Sequence, residues 1–200
     1  MDGFNDKSTM ASLLATRRSG KAREMLDPGP DAAQLQAILA AAARVPDHGK
    51  LNPWRFVVIE DRAAFCDALM AIYLAGKPDA GRLEREAVVQ FAAQAPCLLV
   101  VLSSPKASHI PLWEQELSVG AVCQTLLLAA HSQGFVGNWL TGWAAYDPAV
   151  LALLGGAASE RIAGFFFIGT QARPLEERPR PEPAAIISRW PPESTGSSGG

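Results

Sequence analysis

The chain is short of the residues that mark several common kinds of protein. It holds only three cysteines, Cys66, Cys97 and Cys123. Their number is odd, each lies in an apolar stretch, and their spacing fits no metal site, so they read as buried free thiols in a reducing compartment. The three histidines, His48, His109 and His131, have no metal-ligand spacing either. No charge of one sign dominates: 18 Lys and Arg face 20 Asp and Glu, for a formal net charge of −2. That excludes the basic footprint of a nucleic-acid binder. Long hydrophobic runs are missing too. The longest, Gly120 to Ala130, is interrupted by Gln124 and Thr125 and is too short to span a bilayer. Met1 to Thr9 is polar, with no apolar core of a secretory leader, so a soluble cytoplasmic protein is expected. There is no GxxxxGK[ST] loop, no GxGxxG after a strand and no GxSxG elbow.

What is present suits one domain with a full core, since 48% of the 200 residues are apolar. Ser8 or Thr9 can cap a helix to about Arg17, with Met10, Leu13 and Leu14 on one face. Asp31 caps a second, with Leu35, Ile38, Leu39 and Ala42 at core spacing and Pro46 beyond its end. Residues 46–53 form a loop, and Arg55 to Glu60 reads as a strand. Helices over 62–75 and 79–94 follow. Cys97 to Ser103 is a continuous apolar strand, expected to be buried on both faces. Pro111 opens a long helix to about Gln133. From Ala121 to Ala130 it is apolar almost all round, as in a helix at the centre of a core or subunit interface. Phe135 to Leu140 is a short strand or turn, Asp147-Pro148 starts a short helix, and Ala163 to Thr170 is another buried strand. Helices outnumber the short strands they separate, an α+β or α/β plan with a small central sheet. The last 30 residues hold six of the 15 prolines. The terminal STGSSGG is expected to be disordered, whereas Ile186, Ile187 and Trp190 suit an arm lying over a neighbour.

Three local features carry chemistry. Arg17-Arg18-Ser19, followed by Lys21 and Arg23, gathers two guanidiniums, a hydroxyl and an ammonium. Such a set matches a phosphate, or else simply complements a helix C-terminus. Arg44 to His48, running on to Asn52-Pro53-Trp54, is a polar loop between a helix and a strand, either a ligand loop or a surface turn. Trp113-Glu114-Gln115-Glu116 and then Gln133 to Gly142 flank the long helix. There Gly137 suggests close backbone approach to something flat, and Trp139 either packs on a ring or fills the core.

Together and in this order, RRS at 17–19, RVPDHGKLNPWRFVVIE at 44–60, PLWEQELSVGA at 111–121 and QGFVGNWLTG at 133–142 resemble the nitroreductase family. The likeness is to its short-chain bacterial NAD(P)H nitroreductases and extends from about residue 10 to 172. It implies an α+β fold with a small, mostly antiparallel central sheet flanked by helices, and a long central helix at a dimer interface. It also implies a single FMN-binding domain over residues 1–172 and a Pro-rich arm over 173–200. FMN would be held non-covalently at the interface of a homodimer, with NADH or NADPH as hydride donor. Arg17, Arg18 and Ser19 would hold the phosphate and ribityl end. Arg44 and His48 would come from the neighbouring loop, at least one of them from the partner subunit. Trp139, Leu140 and Thr141 would run beside the flavin. Two positions depart from the pattern: Lys21 stands where many members carry arginine, and so does Leu140 where related chains carry it. No catalytic residue and no metal ligand is expected, because a flavin carries the redox chemistry itself. The acceptor would be a nitroaromatic, a quinone or a similar flat electrophile, reduced by a ping-pong mechanism. Two other readings stand beside this one. One is a flavin-binding or regulatory protein without turnover. The other is a specialised flavin enzyme such as a dehalogenase, for which Ala75 to Glu86 is the available lid.

Overall fold

The structure, a computed structural model, describes residues 3–190. Its centre is an antiparallel sheet of β1 (Met25–Leu26), β2 (Trp54–Val58), β3 (Cys97–Ser103), β4 (Val136–Leu140) and β5 (Arg161–Gln171). β5 lies in the middle. β3 pairs along one edge of it, with β2 outside β3, and β4 pairs along the other; β1 joins at the C-terminal end of β5.

The period of two along a strand explains why this sheet is buried on both faces. Leu98, Val100, Leu102, Phe165 and Phe167 point to one side, where α3 (Arg62–Gly76), α4 (Arg82–Ala93) and α6 (Pro148–Leu153) cover them. Leu99, Val101, Phe166 and Ile168 point to the other, under α2 (Ala32–Ala42) and α5 (Leu112–Ser132). The continuous apolar runs of β3 and β5 therefore fill two cores, as expected for β3 from its sequence. The caps are local and legible. Thr9 accepts from Ser12 N to start α1 (Met10–Thr16), Asp31 forms a capping box with Gln34, and Asp147 precedes Pro148 at the start of α6. Gly134, at φ +93°, ends α5 in a conformation that favours glycine. No helix among the described residues is long and apolar enough to cross a membrane.

Several expectations are corrected. In α1 only Leu13 is buried; Met10 and Leu14 are exposed, because so short a helix meets its own chain along a single line. Cys123 is buried, and burial pushes its thiol up to about 12. Cys66 and Cys97 are only half-buried, at the margins of the cores. Within one protomer α5 is covered on one side only, which leaves both alternatives for it, core and subunit interface, standing. Leu126, Leu127 and Ala130 face its own core, whereas Trp113, Leu117, Gly120 and Gln124 line an open side. β1 and the short α7 (Pro183–Ile186) carry no sequence signal strong enough to announce them. The expected disorder of STGSSGG falls outside the described residues.

One ion pair, exposed on the arginine side and buried on the glutamate side, clamps β2 to the turn before β5. Arg55 donates through Nε and Nη2 to the two carboxylate oxygens of Glu160, at 2.9 and 2.8 Å. Glu160 also accepts from Ala157 N at 2.8 Å. The Arg55 fork, helped by Ser104 and the Ala157 amide, holds the buried Glu160 carboxyl at about 2, below its ordinary 4.5. A carboxyl lowered by folding stabilises the fold above its unfolded pKa and loses that effect as pH falls through its folded pKa. Urea unfolding midpoints should therefore fall as the pH is lowered from about 4.5 toward 2. Arg55→Ala, which removes the partner of the buried carboxylate but lets water reach it from the exposed arginine side, should cost on the order of 1 kcal/mol at neutral pH and flatten that acid dependence.

Candidate functional site

The site begins where α1 stops. Arg17 leaves the helix in an extended conformation, and residues 18–21 continue without regular secondary structure. Asn5 grips this segment from both sides: Arg18 N donates to Asn5 Oδ1 at 2.8 Å, and Asn5 Nδ2 donates to Arg18 O at 3.0 Å. Asn138 of β4 donates to Gly20 O from the far side. A Cβ at Gly20 would stand only 3.1 Å from Val136 Cγ2, so the approach of the segment to β4 depends on glycine there. With its backbone held in this way, the segment turns a row of cationic side chains toward one cavity.

That cavity has a volume of about 440 Å³, within the ~300–1,000 Å³ of small-molecule sites. Arg17, Arg18, Ser19 and Lys21 line one side, β4 residues Asn138, Trp139 and Leu140 another, and Gln124 and Leu127 of α5 a third. Arg178 closes the ring from the C-terminal arm. Arg17 Nη1 donates to Ser19 Oγ at 3.2 Å, and Arg18 Nε donates to Glu176 O at 2.7 Å. Burial, and then the charges of Arg180, Arg18 and Arg178, lower the pKa of Arg17, which nevertheless remains a cation. Nearby carboxylates are few: Glu177 pairs with Arg180 at 3.1 Å and Glu24 with Lys21 at 3.4 Å. Like charges crowded into a partly desolvated hollow favour an anion there.

The wall is aromatic. Trp139 stacks on Phe166 with ring centroids 5.5 Å apart and planes 24° off parallel, and its indole N–H donates to Ala163 O at 3.0 Å. Of the two fates open to Trp139, it takes neither alone: one face packs on the sheet while 39% of the residue stays accessible beside the cavity. The strand that carries it is tied to α5 by His131. The buried Nε2 of His131 accepts the Gly137 N–H at 3.2 Å, which puts the ring proton on Nδ1, an atom without a partner among the described residues. Burial, and then the charge of Arg17, lower its pKa to about 4, so at neutral pH it adds nothing to the positive cluster.

The structure thus brings together Arg17, Arg18, Ser19, Trp139 and Leu140. It does not bring the other sequence-derived residues to the same cavity. Arg44 is exposed just after α2. His48 sits at the start of α5, where its Nδ1 lies 2.6 Å from Glu114 Oε2. From Glu114 to Leu127 the helix runs about 20 Å, at ~1.5 Å per residue. Thr141 lines a different hollow of about 230 Å³ with Tyr73, Phe91 and Trp143. A wider hollow of about 660 Å³ on α4 has charged groups that are already engaged, Arg82 with Glu86 at 2.6 Å and Arg85 with Ala80 O at 2.9 Å. Sequence reasoning missed Asn138, Gln124 and Arg178. Asn138 lies inside a quoted motif, and a census of side-chain amides in it would have found it. Arg178 has only the recurring Arg-Pro pairs of the arm as a signal.

The model of the nitroreductase family matches residues 14–170. A protein of Escherichia coli (strain K12) named as the NAD(P)H nitroreductase YdjA is 35% identical over 161 residues, 79% of this chain and 86% of that one. The crystal structure of a nitroreductase-like family protein from Bacillus cereus superposes with a TM-score of 0.76 at 22% identity, covering 91% of this chain and 96% of the other. A variant of the FMN and NADPH-dependent nitroreductase NfnB from Sphigopyxis sp. strain HMH superposes at 0.73 with 24% identity, covering 91% and 99%.

The seat of Trp139 yields a test of the wall. A Cβ at Gly164 would fall inside contact distance of the Trp139 indole. Gly164→Ala must therefore push the ring off Phe166. Overpacking of this kind costs roughly 1–3 kcal/mol, and tryptophan fluorescence should shift to longer wavelength as Trp139 becomes more exposed. An unchanged emission spectrum would place the indole elsewhere.

Proposed function

This chain belongs to the nitroreductase family, and on that premise we propose that it is an FMN-dependent oxidoreductase drawing hydride from NADH or NADPH. The observation that carries the reading is the 440 Å³ cavity, in which Arg17, Arg18, Lys21 and Arg178 converge beside the aromatic wall of Trp139. A dianionic phosphate fits the cationic end, and a flat ring system fits the wall. Bound FMN supplies two-electron redox chemistry. The chain's own residues bind, orient and exclude water: Arg17 and Arg18 hold the phosphate, Ser19 the ribityl hydroxyls, and the backbone of Trp139 and Leu140 the ring edge. The half-buried Cys97 and the buried Cys123 are held in the thiol form, so neither offers a nucleophile at neutral pH. The acceptor is a nitroaromatic, a quinone or a similar flat electrophile, which enters the pocket the nicotinamide has left. Residues 1–172 form the flavin domain, with 173–200 as an arm. The free thiols suit a reducing compartment such as the cytoplasm.

The open side of α5 supports a homodimer. Leu117 is 53% accessible and Trp113 67% within one protomer. Two-fold packing of α5 against its partner would cover both, and would set the N-terminal half of one helix against the C-terminal half of the other. That arrangement carries Arg44 and His48 toward the partner's cavity, which they do not reach in their own chain.

Denaturing the purified protein should release about one FMN per chain. Oxidation of NADH or NADPH with a nitroaromatic or a quinone should give parallel double-reciprocal lines. A colourless protein that cannot be reconstituted with FMN sinks the proposal; a yellow protein without turnover favours the flavin-binding reading instead. Sedimentation checks the dimer. Leu117→Glu should give a folded monomer with weakened FMN binding, whereas Leu127→Glu, which puts a charge into the protomer's own core, should not fold at all.

A further inference from the structure

Trp113-Glu114-Gln115-Glu116 opens α5, and the flavin reading leaves these residues without a role. The structure gives three of the four a partner. Gln115 is buried and braces the loop before the helix: its Oε1 accepts from Lys106 N at 2.8 Å, and its Nε2 donates to Lys106 O and Ile110 O at 3.1 and 3.2 Å. Glu116 stands 3.8 Å from Arg161. Glu114 meets His48, with Oε2 2.6 Å from Nδ1. One turn further along α5, Ser118 donates to Pro46 O at 2.9 Å, so the loop that carries His48 is held to the helix at two points. That loop is tight. Gly49, Lys50 and Asn52 have φ of +76°, +55° and +49°. Asn52 N donates to Asp47 Oδ2 at 2.7 Å, and a Cβ at Gly49 would stand 3.3 Å from Ile110 Cγ1. Two of these three residues are not glycine, and such backbone persists only where its surroundings hold it. Stability does not account for the arrangement. The side chains of His48 and Glu114 are 63% and 42% accessible, and a pair so exposed adds little to folding. What the contact does fix is the imidazole. A carboxylate only accepts, so Nδ1 carries a proton toward Glu114, and Nε2 is the nitrogen available to a ligand.

We propose that Glu114 is a positioning residue for flavin bound in the partner subunit: it holds His48 in one orientation, with Nδ1 engaged, so that Nε2 meets the partner's cavity already set. This rests on the FMN and homodimer readings above, in which His48 crosses the interface. Glu114 acts through His48 and touches no flavin itself. An imidazole free to turn loses that freedom each time a flavin binds. One pinned by Glu114 has lost it already in the folded chain, and the binding step is spared the cost. The anchor of Ser118 on Pro46 and the wedge of Gly49 against Ile110 serve the same end, since they fix the backbone from which His48 projects. Each cavity of the dimer is then completed by a residue whose aim is set within the other chain.

The test titrates the full-length protein, stripped of flavin, with FMN. His48→Ala and Glu114→Ala should each weaken binding about three- to tenfold, the range of one hydrogen bond. The double variant should bind no more weakly than His48→Ala, because Glu114 then has nothing to orient. Glu114→Gln, whose amide oxygen still accepts from Nδ1, should recover most of the affinity. The melting point of the flavin-free protein should move by less than about 3 °C in each variant. Mixed dimers locate the effect. One chain carries Arg17→Ala and Arg18→Ala, and the other carries Glu114→Ala. The intact cavity of the second chain is served by His48 and Glu114 of the first, so one FMN per dimer should bind with wild-type affinity. Equal affinity in Glu114→Ala and wild type overturns the proposal, as do losses that add in the double variant. So does Glu114→Gln as weak as Glu114→Ala, a large fall in the melting point of Glu114→Ala, or a mixed dimer as weak as the Glu114→Ala homodimer. A wild type that binds no FMN, or that sediments as a monomer, refutes instead the readings on which the proposal stands.

Discussion

Strand β5 is enclosed on both faces and along both edges, and the rest of the molecule is arranged around that constraint. Its Phe165-Phe166-Phe167 run cannot leave any side wet, so one face needs α3, α4 and α6 and the other needs α2 and α5. Its edges must also be hydrogen-bonded, because an unpaired buried amide or carbonyl costs on the order of 1–3 kcal/mol. β3 satisfies one edge and β4 the other. Once β4 is pinned there, Asn138, Trp139 and Leu140 have no freedom in where they stand, and they become one wall of the cavity.

The opposite wall is made of charge that folding does not favour. Arg17, Arg18, Lys21 and Arg178 converge with little carboxylate to answer them, and Arg17 is partly desolvated as well. Local devices hold the arrangement in place: Asn5 on the backbone of Arg18, Asn138 on Gly20, and Glu176 O on the Arg18 side chain. None of these neutralises a charge. A site strained in this way is stabilised by whatever anion binds it, which ties the stability of the loop and arm to occupancy. The neutral state of His131 follows the same logic, since a protonated imidazole beside Arg17 would worsen the repulsion and lose its bond to Gly137.

Much of this was legible in the chain. The helix caps at Thr9, Asp31 and Asp147 each rest on a side chain within three residues of the amide it serves. The apolar run of β3 is short, unbroken and rich in branched residues, which suits a strand buried on both faces. The Arg17-Arg18-Ser19 cluster and the Trp139-Leu140 segment were found as separate motifs, and they meet in the fold. Which side of α5 the protomer itself covers is not legible in the chain. Leu127 and Leu128 are alike in a hydrophobicity count, yet Leu127 alone is fully packed against Gly137, where there is no room even for a methyl group. The two-residue β1 pairs with residues about 145 positions away, too short and too distant a match for any local signal.

By itself the sequence determined the order of helices and long strands, the double burial of the sheet, the cationic loop and the family resemblance. All of these rest on interactions between neighbours a few residues apart or on composition along a single element. Tertiary structure decided the rest. It put Arg178 and Arg180 of the arm beside Arg17, set His48 about 20 Å along α5 from the cavity, left Arg44 exposed after α2, and left Thr141 to a different hollow. Those outcomes depend on which surfaces remain when β5 has taken its partners, and residues more than a hundred positions apart meet only after that packing is complete.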